Sequence, residues 1–302
     1  MVASIEATAL LLREVFPQHH KYLHPEYLDW EYLRSPSGRV IEANLDDGIG
    51  RCGHYAVVPQ RWMIDGTPCM YALSLNTAVS GRSRGRGIFR TLGRKVVAEA
   101  REIGCTALVG VANSESSHGF VNNLGFDLVG SLTVVVIPPT APRRARTFEV
   151  GAAGEMSGWL QETGRSALPE SGAQRVWDAD ELSWRLADPS HDYRVLFSDD
   201  VMAVVHATSY LGVRVAAIVK VFVGGSAARV DIAPLASAAC SALRAPLALY
   251  GGRNPRLRLR GIPVPTRIRP SPLNLIVKCL AAGIHPTSVV PSCFEFLDFD
   301  AY

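Results

Sequence analysis

A short basic, glycine-rich segment is the part of this sequence best suited to bind an anion. It spans Ser80–Gly87 (SGRSRGRG), and its arginines and inner glycines alternate: Arg82, Arg84, Gly85, Arg86 and Gly87. Glycine lets the main chain approach a phosphate closely, and arginine donates charge-assisted hydrogen bonds to phosphate oxygens. The segment lacks the Gly-Lys-Ser/Thr of a Walker loop and the third glycine of the dinucleotide fingerprint. It predicts a pyrophosphate site of a different type, although a solvated basic turn is the alternative.

The elements around this segment are a strand before it, and a helix and a second strand after it. Tyr71–Val79 is an apolar run of strand length, and from Ile88 the apolar residues recur at helical spacing until Gly104. Cys105–Ala112 is a second apolar run. A strand-helix-strand unit makes the two strands parallel, with a right-handed crossover. The loop therefore leads into a helix N-terminus, where free N–H groups and the helix dipole favour anions.

A polar turn and a short helix follow the second strand. The turn begins at Asn113, and the helix closes on Leu124-Gly125-Phe126. The R-x-x-G-x-G pattern between strand and helix, followed by this segment, resembles the coenzyme A signature of the GNAT acyltransferase superfamily. The two motifs cover about Tyr71 to Phe126 in the family's order.

The resemblance implies an α/β fold with a mixed sheet, and acyl-CoA (acetyl-CoA or a short hydroxyacyl-CoA) as co-substrate. It implies that backbone groups around Val79 pair with the pantetheine. The main chain from Arg82 to Gly87 would hold the pyrophosphate, and Asn113 would touch the pantetheine arm. The resemblance gives no metal a role, and the six cysteines contain no C-x-x-C pair that would suggest zinc.

The sequence departs from the family pattern at two positions. Gly81 stands where many members have proline, and Val121 stands where many have a tyrosine that protonates the leaving thiolate. A thiol with a pKa of roughly 8.5 leaves largely as thiolate near neutral pH, so the reaction tolerates this loss.

The residues that would activate the acceptor amine are less well defined. Asn76 on the first strand is a candidate for positioning, and His118 and Glu115 at the start of the second-motif helix are candidates for proton transfer. Histidine titrates in the right range, but a histidine at a helix start also serves as a cap or in packing. The general base stays open at this point.

The second half of the chain contains a weak echo of the first. Trp30 begins a run that ends at Pro36, and Trp184 begins a similar run that ends at Pro189, 154 residues (184 − 30) further on. With a Pro- and Arg-rich linker at 138–147, this predicts an acyl-CoA-binding GNAT domain at 1–140. A degenerate GNAT-like domain at 148–302, with no glycine-rich loop, would bind the acceptor.

Two further patterns lie in this second half. Arg256, Arg258 and Arg260 alternate with leucines, so on a strand they would share one face suited to a diphosphate; a solvated edge strand is the alternative. The aromatic and acidic residues of 294–302 alternate, which predicts a last strand that presents Asp298 and Asp300 together.

The Trp-x-x-Leu opening, the Leu-Asp-Phe-Asp ending and Arg269–Ile276 also resemble, more loosely, two-domain N-acyltransferases of nucleotide-linked sugars. This implies the amine of a nucleotide-linked deoxy-aminosugar as acceptor, for surface polysaccharide synthesis. Acetylation of another amine (peptide, polyamine or aminoglycoside) is one alternative. A CoA-binding sensor without turnover is another.

Composition excludes several other classes. The 31 basic and 28 acidic residues give a net charge of +3, and the arginine run is interleaved with leucines rather than aromatics, so no nucleic-acid partner is expected. No apolar stretch is long enough to span a membrane, and the short N-terminal apolar run lacks a basic leader. We expect a cytoplasmic protein, with its oligomeric state open.

Overall fold

The computed structural model describes residues 2–24, 26–139, 148–151, 172–224 and 229–299. Most of the predicted linker, 140–147, and Asp300 lie outside the described residues. Among the described residues, no helix is both long and apolar enough to cross a bilayer.

The elements are numbered here in chain order. The helices are α1 (Val2–Val15), α2 (Tyr27–Leu33), α3 (Ile88–Glu102), α4 (Ser114–Leu124), α5 (Ala179–Leu186) and α6 (Ile232–Leu243). The strands are β1 (Ile41–Asp46), β2 (Arg51–Ile64), β3 (Thr67–Val79), β4 (Ala107–Ala112), β5 (Asp127–Ser131), β6 (Thr133–Ile137), β7 (Glu149–Gly151), β8 (Ala173–Arg175), β9 (Tyr193–Ser198), β10 (Val201–Tyr210), β11 (Val213–Val223), β12 (Val230–Asp231), β13 (Leu247–Arg253), β14 (Leu257–Arg258), β15 (Ile262–Pro263), β16 (Asn274–Cys279) and β17 (Phe294–Glu295).

The chain divides into two compact units. Unit 1 contains residues 1–130, 188–190 and 273–290, and its strands follow the order β1-β2-β3-β4-β16-β5. β1, β2 and β3 form an antiparallel meander, and β3 then runs parallel to β4. The predicted strand-loop-helix-strand unit is therefore confirmed, with α3 as the crossover.

Helices α3 and α4 pack on one face of this sheet, α3 through the residues that the periodicity predicted. Leu92, Val96 and Ala100 of α3 are buried in the same cluster as Phe120 of α4. A Cβ at Gly93 would lie 2.5 Å from Leu124 of α4, so only glycine lets the two helices approach this closely. This packing holds the first half of α3 against the last turn of α4.

Unit 2 repeats the order of elements of unit 1. It contains residues 131–187, 191–272 and 291–302, and α5 precedes an antiparallel meander of β9, β10 and β11. α6 then leads to β13, which runs parallel to β11. The weak echo between Trp30 of α2 and Trp184 of α5 therefore marks two domains built on one plan.

The units do not follow the sequential ranges 1–140 and 148–302. β16, from the second half of the chain, lies between β4 and β5 in unit 1, whereas β6, from the first half, pairs with β13 in unit 2. The physical reason is the second edge of β4, which is buried and needs a strand that is apolar on both faces. Leu275, Ile276 and Val277 of β16 meet that need, and all three are buried.

The C-terminal segment departs from the predicted last strand. Only Phe294 and Glu295 pair with β13, residues 296–298 form a 3₁₀ turn, and all of 294–299 is buried. The alternation of aromatic and acidic residues is therefore not a two-faced strand, and Asp298 is buried with the aromatic residues. A Cβ at Gly251 would lie only about 2.0 Å from the ring of Phe296, so the ring occupies the space that a side chain there would need. The segment thus seals β13 beyond Tyr250, where the ladder with β11 ends.

Candidate active site

The two parallel strands of unit 1 separate part-way along their length. Their ladder runs from Tyr71 opposite Ala107 to Ser74 opposite Gly110 and stops there, although β3 continues to Val79. The end of β4 pairs instead with β16, with Ala112 opposite Asn274. Main-chain groups of β3 after Ser74 therefore face an edge that the β4 ladder does not use.

A β-bulge lies at the point of separation. Two steps along β2, from His54 to Ala56, correspond to three steps along β3, from Leu75 to Ala78. The extra residue places Asn76 in the left-handed region with φ of 50°. Asparagine tolerates that region better than other residues with a side chain, and a bulge re-aims the strand that contains it. Asn76 thus marks the bend at which β3 leaves β4.

A buried hydrogen-bond network holds the Asn76 side chain. Its Oδ1 accepts from the Tyr22 hydroxyl at 2.6 Å, and its Nδ2 donates to Glu31 Oε2 at 2.7 Å and to the Tyr32 hydroxyl oxygen at 3.0 Å. The second carboxylate oxygen of Glu31 accepts from Tyr27 at 3.0 Å. All these residues are at most 9% exposed. The network links the bulge to the segment 22–32, on and before α2.

The network continues to His54 on β2. Tyr32 lies 2.8 Å from His54 Nε2, and His54 Nδ1 lies 2.6 Å from Asn44 Oδ1. The acceptor at Asn44 assigns the proton to Nδ1, so Nε2 accepts from Tyr32. Burial, with a contribution from the charge of Arg51, lowers the pKa of His54 to about 3. Burial also raises the pKa of Tyr32, with a contribution from Glu31. His54 is therefore a neutral link and not a proton store.

The glycine-rich loop has the backbone that the sequence predicted. Gly85 and Gly87 have φ of 78° and 72°, and a Cβ at either position would meet no atom within 4 Å. Gly87 begins α3 without a side-chain cap, and the first turn of α3 contains no acidic residue. The free N–H groups of that turn and the helix dipole thus meet open space beside the loop, as an anion site requires.

The three arginines of the loop are not equivalent. Arg82 donates from Nε to Asp47 Oδ2 at 3.0 Å and from Nη1 to Glu14 Oε2 at 3.3 Å. These contacts hold the pKa of Asp47 well below its usual range. Arg82 therefore holds the loop to Asp47 and Glu14, and its role toward the pyrophosphate stays a prediction. Arg84 and Arg86 are exposed, and their roles stay predictions.

The second motif forms the start of α4. The Asn113 side chain accepts from the backbone N–H of Ser116 at 2.8 Å, and Ser116 returns a hydrogen bond to the backbone of Asn113 at 3.1 Å. Asn113 is thus the N-cap of α4 at the end of β4, and its predicted contact with pantetheine stays a prediction. His118 and Glu115 are exposed on α4, whereas the Asn76 side chain hydrogen-bonds to Tyr22, Glu31 and Tyr32.

Known proteins match this chain in structure rather than in sequence. No protein-family model and no curated protein matches the sequence. Solved structures match at a probability of 1.00. One is a protein of unknown function from Enterococcus faecalis V583, described as a probable N-acyltransferase (TM-score 0.62, 11% identity, 92% of this chain and 70% of that one). A GCN5-related N-acetyltransferase from Anabaena variabilis gives a TM-score of 0.62 at 10% identity, over 92% and 71% of the two chains. Eis1 from Mycobacterium abscessus gives 0.56 at 11% identity, over 93% and 72%.

The fold is that of the GCN5-related N-acetyltransferases. The predicted GNAT fold is thereby confirmed for the chain as a whole, including the GNAT-like second domain, because the matches cover more than nine-tenths of it. The diverging strands and the open, glycine-rich loop of unit 1 form the candidate site.

Unit 2 of the GNAT fold differs at the equivalent place. Asp231 is the N-cap of α6, and its carboxylate accepts from the backbone N–H of Ala233 at 3.0 Å, so the N-terminus of α6 already has an anion. Residues 225–228, just before it, lie outside the described residues. Where β11 and β13 part, the segment 294–298 supplies Glu295 and Asp298 to Lys220, with Nζ at 3.2 Å and 2.7 Å. Burial lowers the pKa of Lys220, but these carboxylates outweigh burial and raise it overall, so the ammonium is charged.

The predicted arginine face of unit 2 is shorter than expected. β14 covers only Leu257 and Arg258, of which Arg258 is exposed. The Arg256 N–H donates to Asn254 Oδ1 at 3.0 Å, a turn that delays the strand, and β12 offers only two residues for pairing. Arg260 forms an ion pair with Asp231 at 2.8 Å, so an acidic residue on another strand neutralises part of the basic run. The three arginines therefore do not form one strand face.

Sequence reasoning missed the partners of Asn76. Tyr22, Glu31 and Tyr32 precede it by 44 to 54 residues, and His54 lies on the next strand. The available signal was polar: an asparagine inside an apolar strand, and a glutamate between aromatic residues in a short helix. Such residues are buried only when they are paired.

Proposed function

We propose that this protein transfers an acyl group from acyl-CoA to an amine. One observation carries the proposal: an uncapped helix N-terminus and an open, glycine-shaped loop lie directly after a strand that leaves its parallel partner. The loop suits a pyrophosphate, and the freed edge of β3 suits an extended amide-bearing chain such as pantetheine. The likeness in fold to N-acetyltransferases supports the same conclusion.

The residues of unit 1 would serve acyl-CoA as follows. The main chain from Arg82 to Gly87 and the first turn of α3 would bind the pyrophosphate, with Arg84 and Arg86 adding charge. Backbone N–H groups near Val79 would donate to the carbonyl oxygen as it gains negative charge, the usual way in which acyl transfer is stabilised. The thiolate leaves without a dedicated acid, since Val121 has none to give.

The first experiment tests the loop by calorimetry with acetyl-CoA. Gly87→Asp places a carboxylate beside the open space at the start of α3, and we expect at least a hundredfold loss of affinity. Gly66→Asp is the matched control, because Gly66 has φ of 79° and open space at its Cβ in the β2–β3 turn. Both variants have the same backbone strain and charge. Equal affinity in the two folded variants would refute the loop as the binding site.

The acceptor belongs to a second step of the proposal. The sequence suggested a nucleotide-linked amino sugar, with its diphosphate on the arginines of unit 2. The exposed side chain of Arg258 is compatible with a diphosphate-bearing acceptor, whereas the pairing of Arg260 with Asp231 weighs against it. A peptide, polyamine or aminoglycoside amine is the alternative acceptor.

A thiol-release assay with acetyl-CoA and a panel of amines separates these acceptors. Turnover of dTDP- or UDP-amino sugars, with a KM that rises about tenfold in Arg258→Ala, would support the nucleotide sugar. Turnover of polyamines, peptides or aminoglycosides alone would replace it. Tight acetyl-CoA binding with no turnover of any amine would favour a CoA-binding sensor.

A further inference from the structure

We infer that Glu31 is a positioning residue for acyl transfer: with Tyr22 and Tyr32 it clamps Asn76 and so fixes the bulge that aims the main chain of β3 into the site. This inference rests on the proposed function. It assigns a role to the segment 22–32, which neither motif covers.

The bulge has an unusual backbone conformation at Asn76. A bulge with a left-handed residue usually has glycine at that position, because a Cβ is sterically strained there. This chain has Asn76 with φ of 50°. An asparagine is favoured over glycine at such a place only if its side chain makes interactions that offset the strain. Asn76 makes three such hydrogen bonds.

The direction of these hydrogen bonds fixes the orientation of the Asn76 side chain. Both Nδ2 hydrogens are donated, one to the Glu31 carboxylate and one to the Tyr32 hydroxyl, while Oδ1 accepts from Tyr22. A flipped amide would set Oδ1 against the carboxylate of Glu31 at 2.7 Å, which is repulsive. The Asn76 side chain therefore has one orientation, and the backbone on either side of it is fixed as well.

Glu31 is too deeply buried to act on the acceptor amine directly. It is 3% exposed, and both carboxylate oxygens already accept hydrogen bonds, from Tyr27 and Asn76. A base for an incoming amine needs an oxygen that the amine reaches. Glu31 acts through Asn76 instead, and so influences where the N–H groups after residue 76 point.

Residues 77–79 are the part of β3 that this clamp controls. They follow the bulge directly and lie beyond Ser74, where the ladder with β4 has ended. Donors that stabilise an oxyanion must be held in place before the reaction, and loss of one such donor costs about 100- to 1,000-fold in kcat. Loosening the bulge is expected to lower kcat by more than it weakens acetyl-CoA binding, because the pyrophosphate loop lies outside the clamp.

The first experiment compares three variants in the acyl-transfer assay. Asn76→Gly keeps the backbone angle but loses the clamp, and we expect kcat to fall at least tenfold. Tyr22→Phe should lower kcat in the same direction. Its matched control is Tyr71→Phe, which also removes one buried hydroxyl from unit 1, bonded to the Val289 carbonyl at 3.0 Å at the far end of the β3–β4 ladder. That control should lower the melting temperature and leave kcat unchanged.

Glu31→Gln separates positioning from base catalysis. The amide oxygen of glutamine accepts from Asn76 as the carboxylate does, so activity should stay within threefold of wild type, with an unchanged pH profile. Glu31→Ala should lose at least tenfold. Equal loss in both variants, with the acidic limb of the pH profile abolished, would make Glu31 a base and overturn the inference.

Hydrogen exchange of the ligand-free protein tests the clamp without any turnover. In Glu31→Ala the amides of 75–79 should exchange at least tenfold faster, while those of 67–71 stay as in wild type. Unchanged exchange at 75–79 would overturn the inference. Faster exchange in a protein that acylates no amine would leave the clamp standing and reject the proposed function instead.

Discussion

The buried imidazole of His54 gives a quantitative prediction about stability and pH. The side chain is fully buried, and its pKa is lowered to about 3 from an unfolded value of 6.5, mainly by burial. Between these two values the unfolded chain binds a proton that the folded protein refuses. Folding stability therefore falls as the pH is lowered from 6.5 towards 3, and it is fully present above pH 6.5.

The size of the effect follows from the two pKa values. The free energy of unfolding should fall with a slope of about 1.36 kcal/mol per pH unit between pH 6 and 4. At pH 5 this amounts to about 2 kcal/mol less stability than at pH 8. A loss of this size is a sizeable part of the 5–15 kcal/mol by which domains are typically stable.

Urea unfolding of wild type and His54→Gln at pH 8, 6, 5 and 4 measures this contribution. His54→Gln should be less stable at pH 8, because its hydrogen bonds to Tyr32 and Asn44 are disturbed, but its pH slope should be shallower by about one proton. His118→Gln, on the exposed side of α4, controls for removal of a histidine as such. Parallel pH curves for wild type and His54→Gln would refute the reasoning.

Three further predictions concern packing and charge. Lys220→Met leaves two buried carboxylates without their cation and should destabilise the protein by about 3–5 kcal/mol at neutral pH, measured by urea unfolding. Gly251→Ala puts a methyl group within about 2.0 Å of the Phe296 ring, so it should cost about 1–3 kcal/mol and expose 294–299 to carboxypeptidase; unchanged digestion would contradict the packing. Val121→Ala should cost on the order of 1 kcal/mol in stability with little change in kcat, and a large fall in kcat with KM intact would show that α4 is misaligned with the family motif.

Local patterns in the sequence were sufficient for one half of the candidate site. The loop, its two left-handed glycines and the amphipathic α3 are encoded within about thirty consecutive residues, where spacing and glycine content have a direct backbone meaning. Asn113 as the start of α4 is likewise a local capping signal. These features could be predicted because each depends on neighbours in the chain.

The other half of the site depends on contacts between distant residues. The position of Asn76 on the strand before the loop makes it a candidate for positioning, but nothing in its neighbourhood indicates that Glu31 and Tyr22 are its partners. The pairing of Arg82 with Asp47, 35 residues earlier, is likewise not indicated by the local sequence. Burial and pairing of polar groups are properties of the folded arrangement, and one sequence does not specify them by spacing alone.

The position of β16 between β4 and β5 has a consequence for the birth of the protein on the ribosome. Gly130, the last residue of the first stretch of unit 1, is made 144 residues (274 − 130) before Asn274 opens the missing strand. At 5–20 residues per second that interval is roughly 7 to 29 s. During that interval the apolar edge of β4 that later pairs with β16 is unpaired. Unpaired strand edges of this kind make nascent sheets aggregate or recruit chaperones. A ribosome that stalls or terminates before β16 would release an unfinished sheet, so the sheet of unit 1 is complete only after Cys279 has been made.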